Sequence, residues 1–167
     1  ALVSVRIADN RRLCVATPGY LERRGTPKHP SELTQHDCLT LSSDASQTRG
    51  WAFRIPHPES GTSEVVHFKP GGPLDCSDGQ VLHDWCLGGW GIAWRSTWEV
   101  EAQIAAGLLV PVLEEFAAPP NGIYVVLPQR KHLPLRLRLW IEFLKRHYGQ
   151  SAFWRRAPGS PWPLPGA

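Results

Sequence analysis

Short apolar runs separated by turn residues predict an alternation of strands and helices along most of the chain. Residues 13–16 (LCVA) form a continuous apolar run, which is typical of a buried strand. Thr17 followed by Pro18 favours a helix start, because threonine caps helices and proline is preferred at the first helical position. The helix predicted for GYLERR then ends at Gly25.

The next part of the chain predicts a small helix, a strand and a hairpin. PSELTQ begins a small helix at Pro30, and residues 38–41 (CLTL) form a candidate strand. Residues 42–50 have the composition of a loop. WAFRI at 51–55 and EVVHFK at 64–69 have the pattern of half-buried strands, so we predict that they pair as a hairpin.

A second helix is predicted after Ser77 and Asp78, either of which would cap it. Apolar residues of QVLHDWC recur on one helical face, and the glycines of LGGWG end the helix. GIAW at 91–94 then predicts a short strand. Ser96 followed by Glu99 has the spacing of a capping box, which opens a further helix.

Tryptophans at positions 90, 94 and 98 recur every four residues, as on one aromatic helix face. The glycines among them exclude a single helix, because each costs about 1 kcal/mol inside one. We therefore predict that these tryptophans are packing residues, with ligand stacking on Trp94 or Trp98 as the alternative. A nucleic-acid stacking surface would need interleaved lysines and arginines, and only Arg95 is present.

The last third of the chain predicts two strands and a long helix. LLVPVL is a strand interrupted by Pro111, which places it at an edge. IYVVL at 123–127 is a continuous apolar strand. Pro134 opens the helix RLRLWIEFLKRHY, which carries one apolar and one basic face. The tail at 150–167 is rich in proline and glycine and is predicted to be poorly ordered.

This alternation predicts an α/β fold. The apolar strands at 13–16 and 123–127 are expected to lie in one sheet. Residues 1–17 and 120–149 would then form part of a first subdomain, and residues 18–119 a second subdomain. A cleft would form where the chain crosses twice between them.

The bulk composition fits a globular domain with a core. The chain has 167 residues, of which 42% are hydrophobic and 20% are charged. The formal net charge of +3 is mild and the basic residues are spread out, so direct binding to nucleic acid is not indicated. No apolar run approaches the roughly 18 residues of a membrane span, and no membrane partner is predicted.

The candidate chemistry is sparse. The four cysteines are Cys14, Cys38, Cys76 and Cys86. They lack CxxC and zinc-site spacing, so we predict free, largely buried thiols in a reducing compartment. No GxSxG, HExxH, Walker or GxGxxG motif occurs, so we predict no enzyme activity, cofactor or metal. His83 and Cys86 leave a Cys/His nucleophile pair as the alternative. Because methionine is absent, we expect a C-terminal piece of a longer protein.

Three segments resemble, in order and spacing, the C-terminal part of LysR-type transcriptional regulators. They are RIADNRRLCVATPGYLERRGTPKHPSELTQHDCL, LDCSDGQVLHDWCLGGWGIAWRSTWEVEAQIAAGLLVPVL and PPNGIYVVLPQRKHLPLRLRLWIEFLKRHYG. The resemblance covers about residues 2–149. The family often has an apolar residue and a proline after the GIA strand, where this chain has Trp94, Arg95 and Ser96.

The resemblance implies an effector-binding domain with a fold like type 2 periplasmic binding proteins, its first subdomain incomplete. A small molecule, expected to be anionic, would bind in the cleft between two subdomains. The regulator would be cytoplasmic and a homo-oligomer (a dimer or tetramer), and it would contact DNA through a helix-turn-helix that this chain lacks. The alternative is an exported solute-binding protein of a transport system, and the sequence upstream of Ala1 would separate the two.

The helix start at Ser77, Asp78 and Gly79 is the first candidate for the effector site. Backbone N–H groups at a helix N-terminus and the helix dipole favour an anion. The resemblance implies that this turn faces the cleft. The alternative interpretation is that Ser77 or Asp78 only caps its own helix.

Four further residues are candidates for the effector site. The resemblance implies that Thr17 and Pro18 line the cleft, although both also fit a plain helix start. Arg6 matches a position where the family can place a cation near the cleft, and Arg95 is a weaker candidate for the same role. An arginine could bind a carboxylate through two hydrogen bonds, or could simply lie at the surface.

Overall fold

The structure is a computed structural model that describes residues 2–42, 50–128 and 133–149. Most of the predicted loop at 42–50, and the whole of the predicted tail at 150–167, lie outside the described residues. The described part confirms the predicted mixture of strands and helices.

The described residues form nine strands, four α-helices and two short 3-10 helices. The strands are β1 (Leu2–Asn10), β2 (Arg12–Ala16), β3 (Cys38–Leu41), β4 (Trp51–His57), β5 (Thr62–Phe68), β6 (Asp75–Cys76), β7 (Ile92–Ser96), β8 (Val110–Val112) and β9 (Asn121–Pro128). The α-helices are α1 (Pro18–Arg24), α2 (Gly79–Leu87), α3 (Thr97–Ala105) and α4 (Leu135–Tyr148). The 3-10 helices are Pro30–Gln35 and Glu114–Phe116.

Five strands form the central sheet, in the order β6-β3-β7-β2-β8. Strand β3 runs parallel to β6 and β7, whereas β2 runs antiparallel to β7 and β8. Pro111 lies in β8, at the edge of this sheet, as the sequence predicts. An edge position suits proline because it has no N–H to donate to a further strand.

Alternate residues of the central strands pack into two separate cores, because successive side chains of a strand point to opposite faces. One face buries Ile92 against Tyr20 of α1 and Phe53 of the β4–β5 hairpin. The other face buries Ala93 against helices α2 and α3. The predicted hairpin is confirmed, with Trp51 paired to Phe68 and His57 to Thr62.

Predicted helix ends are also confirmed. Thr17 Oγ1 accepts a hydrogen bond from the Tyr20 N–H at 3.2 Å and caps α1, and Gly25 ends that helix with φ +83°. The Asp78 carboxylate caps α2 by accepting from two backbone N–H groups. Ser96 and Glu99 form the predicted capping box at the start of α3.

The prediction that the tryptophans at 90, 94 and 98 are packing residues is right for one position and wrong for two. Trp94 packs partly buried against the core and stacks on Trp51, with ring centroids 6.2 Å apart. Trp90 and Trp98 are 62% and 56% exposed. Both exposed rings lie where the chain enters or leaves β7, and the four-residue spacing carries no information about burial across such a junction.

Strands β1 and β9 form a separate antiparallel ribbon, with Asn10 opposite Asn121. The expectation that residues 13–16 and 123–127 share a sheet is therefore wrong. Tyr124 and Val126 are exposed, so β9 is open to solvent on one face. A continuous apolar run looks the same in sequence whether one or both faces are buried.

Helix α4 packs on the ribbon through Ile141, which is buried. The predicted apolar face of this helix is only partly covered: Trp140 and Tyr148 are each 49% exposed. The first passage from the ribbon to the central sheet is at Arg11, whose carbonyl oxygen accepts from the Thr97 N–H at 2.9 Å. The ribbon thus joins the central sheet beside the start of α3.

Two glycines give a matched stability test. A Cβ on Gly91 would lie 2.3 Å from the Asp37 carbonyl oxygen, which also accepts from the Ile92 N–H. We expect G91A to lower the free energy of unfolding by about 1–3 kcal/mol through overpacking. Gly19 lies in α1 with nothing within 4 Å of its added Cβ, so G19A should raise it by up to about 1 kcal/mol. Urea unfolding of both variants measures this, and equal stabilities would contradict it.

Candidate functional site

A cavity of about 830 Å³ lies between the β1–β9 ribbon and the start of α3. This volume is within the range of small-molecule sites. We call it the ribbon cavity. It is lined by Ile7, Asn10, Arg12, Ser96, Trp98, Glu101, Ile123, His147 and Tyr148.

Strand register and a bulge bring these residues together. Arg12 is paired with Ser96 across β2 and β7, so both stand at the end of the central sheet that faces the ribbon. On the ribbon, the register shifts between Arg6 and Ala8, which leaves Ile7 as the extra residue. A bulge of this kind turns a side chain away from the regular alternation, and Ile7 lines the cavity.

Arg12 is the cation of this cavity that belongs to the central sheet. Its guanidinium carbon lies 4.7 Å from the centroid of the Trp94 ring, a cation–π contact. Trp94 is itself stacked on Trp51 of the hairpin. A chain of aromatic contacts therefore connects the cavity to the core of the central sheet.

The other polar groups of the ribbon cavity are of mixed charge. Burial raises the pKa of Glu101 above its ordinary value, because desolvation disfavours a carboxylate. Asn10 Oδ1 is buried and has no hydrogen-bond partner within the described part of the chain. The imidazole of His147 is exposed at the rim. Next to the cavity, burial and Arg54 together lower the pKa of Arg11.

A second cavity of about 580 Å³ lies between α2 and α3, and we call it the α2–α3 groove. It is lined by Gly79, Gln80, His83, Asp84, Leu87, Arg95, Trp98, Glu99 and Gln103. Trp98 lines both cavities. The Arg95 side chain is buried here, and its Nη2 donates to the Gly79 carbonyl oxygen at 3.3 Å and to Glu99 Oε1 at 2.8 Å.

The candidate residues from the first part of the chain are dispersed in the structure. Arg6 is half-exposed on β1 and pairs with Asp9. Thr17 caps α1, and Pro18 is exposed. These three residues line neither the ribbon cavity nor the α2–α3 groove, and their role toward an effector stays a prediction.

The candidates at the α2 start divide between surface and groove. Ser77 and Asp78 are exposed and line neither cavity, and the Asp78 carboxylate already occupies the N–H groups of Gln80 and Val81. Gly79 and Arg95 line the α2–α3 groove together. A Cβ on Gly79 would lie 3.2 Å from Arg95 Nη2, so glycine leaves room for the guanidinium.

Sequence reasoning missed most of the ribbon cavity. Asn10 and Arg12 flank the passage from β1 to β2, and a polar pair immediately before a buried strand is a signal that could have identified them. Glu101 and His147 could not be found in this way, because helices bring them in from positions distant in the sequence.

Three of the cysteine thiols are buried in surroundings that disfavour the thiolate, which is the nucleophilic form. Burial raises the pKa of Cys38 and of Cys86 to about 12 and places that of Cys14 well above its ordinary value. The Cys86 thiol donates weakly to the Val15 carbonyl oxygen at 3.6 Å. Among the described residues, no cluster of His, Cys, Asp and Glu could hold a metal ion.

None of the described helices combines the length and the apolar character needed to cross a membrane.

Comparisons with known proteins give the same fold. Residues 1–149 match the LysR substrate binding domain. The chain is 33% identical over 150 residues to the HTH-type transcriptional regulator DmlR of Escherichia coli K12, covering 89% of this chain and 46% of that protein. The regulatory domain of CrgA, a LysR-type transcriptional regulator from Neisseria meningitidis, superposes with a TM-score of 0.71 at 31% identity, covering 89% of this chain and 70% of that one.

The full-length Vibrio cholerae virulence activator AphB, a member of the LTTR family, superposes with a TM-score of 0.69 at 26% identity. That match covers 89% of this chain and 48% of AphB. The chain therefore spans about half the length of the curated relatives it matches.

The fold and its cavity define an α/β ligand-binding domain of the type 2 periplasmic-binding-protein kind. Within that class, this chain belongs to the LysR substrate binding domain family. The resemblance seen in the sequence is thus confirmed. The relatives described above are transcriptional regulators, which favours regulation over transport.

Thiol labelling tests which of the four cysteines are buried and unreactive in the folded chain. We expect iodoacetamide at pH 8 to alkylate the partly exposed Cys76 at least about tenfold faster than Cys14, Cys38 or Cys86 in the folded chain, because the thiolate is the reactive form. In denaturant all four should react at similar rates. Peptide mass spectrometry measures the rates, and rapid labelling of Cys86 in the folded chain would contradict the expectation.

Proposed function

We propose that this chain is the effector-binding part of a LysR-type transcriptional regulator, and that the ribbon cavity receives a small anionic effector. The observation that carries this proposal is the position of Arg12. It lies at the passage between the ribbon and the central sheet, lines the cavity, and is held over the Trp94 ring. An arginine fixed in this way suits a carboxylate, which it can bind through two hydrogen bonds.

The rest of the cavity lining supports a carboxylate-bearing organic molecule. Ser96 supplies a hydroxyl close to Arg12, and His147 at the rim supplies a second cationic group when protonated. Ile7, Ile123 and the exposed Trp98 provide apolar contacts for a carbon skeleton. The Glu101 carboxylate disfavours a ligand that carries a second negative charge, because like charges repel more strongly at a partly buried site.

The proposed mechanism is a population shift. An effector that contacts both the ribbon and α3 stabilises one arrangement of the two units, and it shifts the equilibrium by its difference in affinity. Subunit contacts of a homo-oligomer would carry that shift to a DNA-binding domain outside this chain. We place such a regulator in the cytoplasm.

The strand pairing refines the proposed division into subdomains. Residues 1–17 were expected to belong wholly to the first subdomain, but β2 is hydrogen-bonded within the central sheet. We propose that the first passage between subdomains is at Arg11. The ribbon and α4 then belong to the first subdomain, and the central sheet with its hairpin and helices to the second.

A pair of cavity variants tests the anionic effector. In titrations with succinate, glutarate and benzoate, we expect R12Q to weaken the binding of any carboxylate that binds by about tenfold, or about 1.4 kcal/mol. E101Q should strengthen it by about threefold, since it removes a repelling charge. For the same reason, binding to the unmodified chain should weaken as the pH rises through the raised pKa of Glu101.

Isothermal calorimetry measures these affinities. E22Q is the control, because Glu22 is exposed on α1 and lies outside both cavities. Carboxylate binding that is unchanged in R12Q would contradict the proposed site.

The same titration tests the predicted residues outside the cavity. We expect R6A and S77A to bind each carboxylate within about twofold of the unmodified chain. Arg6 is paired with Asp9 at the surface, and Ser77 is exposed away from the ribbon cavity. A loss of more than about tenfold in either variant would instead extend the effector site to that residue.

A further inference from the structure

The α2–α3 groove is a cavity separate from the proposed effector site. Its volume of about 580 Å³ lies within the range of small-molecule sites. Among the described lining residues it shares only Trp98 with the ribbon cavity. Helices α2 and α3 form its walls, and the Arg95 side chain, from the end of β7, is hydrogen-bonded to both of them.

The charge of Arg95 is balanced by the protein itself. This residue is 9% exposed, and its Nη2 donates to Glu99 Oε1 at 2.8 Å and to the Gly79 carbonyl oxygen at 3.3 Å. The Arg95–Glu99 pair therefore offers no net charge to a ligand. Asp84 also lines the groove, but it is exposed, so solvent screens its charge. This balance favours an uncharged molecule.

Two buried polar atoms of the groove lack a hydrogen-bond partner within the described part of the chain. One is a donor, Arg95 Nε, and the other is an acceptor, Gln103 Oε1. Buried polar atoms are nearly always hydrogen-bonded in folded proteins. Two exceptions in one cavity therefore point to a partner from outside the protein.

The unpartnered donor and acceptor belong to neighbouring side chains of the groove. Glu99 and Gln103 are four residues apart in α3, so their side chains lie on one face of the helix. Glu99 holds the Arg95 guanidinium, which places that group about one helical turn from Gln103. A single small molecule in the groove can therefore contact both side chains.

The missing partner has to accept a hydrogen bond from one side chain and donate one to the other. A primary carboxamide does both, because its oxygen accepts and its nitrogen donates. A carboxylate has no donor for Gln103, and an ammonium or amidinium ion has no acceptor for Arg95. The exposed ring of Trp98 and the partly buried Leu87 line the same groove and provide apolar contacts.

We propose that the α2–α3 groove binds a small uncharged molecule that carries a primary carboxamide on a planar, largely apolar body. The carboxamide oxygen accepts from Arg95 Nε–H, and the carboxamide N–H donates to Gln103 Oε1. The body of the ligand lies against Trp98 and Leu87. This site is independent of the ribbon cavity, which is proposed to receive an anion.

Three probes with one planar skeleton test this proposal on the full chain by isothermal calorimetry. Benzamide has both a donor and an acceptor, acetophenone has only the acceptor, and benzamidinium has only donors. We expect benzamide to bind at least about fivefold more tightly than either of the other two, because each of them leaves one buried side-chain atom without a partner.

Two variants of the groove assign the hydrogen bonds. Q103M removes the acceptor with little change in size, so it should weaken benzamide binding by about fivefold. It should leave acetophenone binding within about twofold, because acetophenone has no donor for Gln103. R95K keeps a positive charge opposite Glu99 but removes Nε, so it should weaken the binding of both ligands by about threefold or more.

Two control variants locate the binding. D84N removes a groove charge that an uncharged ligand does not need, and E101Q alters only the ribbon cavity. Both should leave the affinity for benzamide within about twofold. Circular dichroism melts verify that Q103M and R95K are folded. If R95K does not fold, the comparison of benzamide with acetophenone in Q103M is sufficient for the test.

Several outcomes would overturn the proposal. Equal affinity for benzamide and acetophenone would remove the role of the donor, and benzamidinium binding as tightly as benzamide would remove the role of the acceptor. Equal weakening of benzamide and acetophenone in Q103M would indicate lost packing instead of a lost hydrogen bond. A loss in E101Q without a loss in Q103M would move the binding to the ribbon cavity. No binding of benzamide tighter than about 10 mM would leave water as the partner of both atoms.

Discussion

The burial of β7 on both faces is the constraint on which the rest of the structure depends. Its residues alternate between the two cores, with Ile92 on one side and Ala93 on the other, and neither is exposed. Two faces must therefore be covered, one by α1 and the hairpin and one by α2 and α3. Where the strand ends, Arg95 enters the α2–α3 groove and Ser96 the ribbon cavity. Side chains placed on a strand buried in this way are positioned more rigidly than side chains on a loop.

The two cavities use the same framework for different electrostatics. In the ribbon cavity the Arg12 guanidinium lies over the Trp94 ring, in a cation–π contact. In the α2–α3 groove Arg95 is bound by Glu99, so its charge is neutralised within the protein. Glu99 lies one turn after Arg95 and forms an ion pair with it, whereas Arg12, whose cross-strand partner is Ser96, contacts the Trp94 ring. Trp98 lines both cavities.

Local chemistry accounts for what the sequence could predict. The caps at Thr17, Asp78 and Ser96 depend on residues within three positions, and all three were expected. The pairing of β2 with β7 rather than β9 depends on contacts between distant parts of the chain, and an apolar run carries no information about its neighbours in a sheet. The same limit applies to the sites. Arg95 and Gly79 were named as candidates separately, but only the packing of α2 against β7 places them in one groove.

The ribbon cavity exists because both passages between the ribbon and the central sheet are fixed by packing. At the first passage the Arg11 carbonyl oxygen is hydrogen-bonded to the Thr97 N–H, which ties the end of β1 to α3. At the return passage Leu113 has a φ of +55°, which is uncommon for a residue other than glycine. Leu113 is 5% exposed in the same core as Ile92, so core packing holds this backbone in place. These two anchored passages set the position of the ribbon beside α3. An effector that binds between the ribbon and α3 would therefore have to change packing contacts, and not merely bend a flexible linker, in order to move the ribbon.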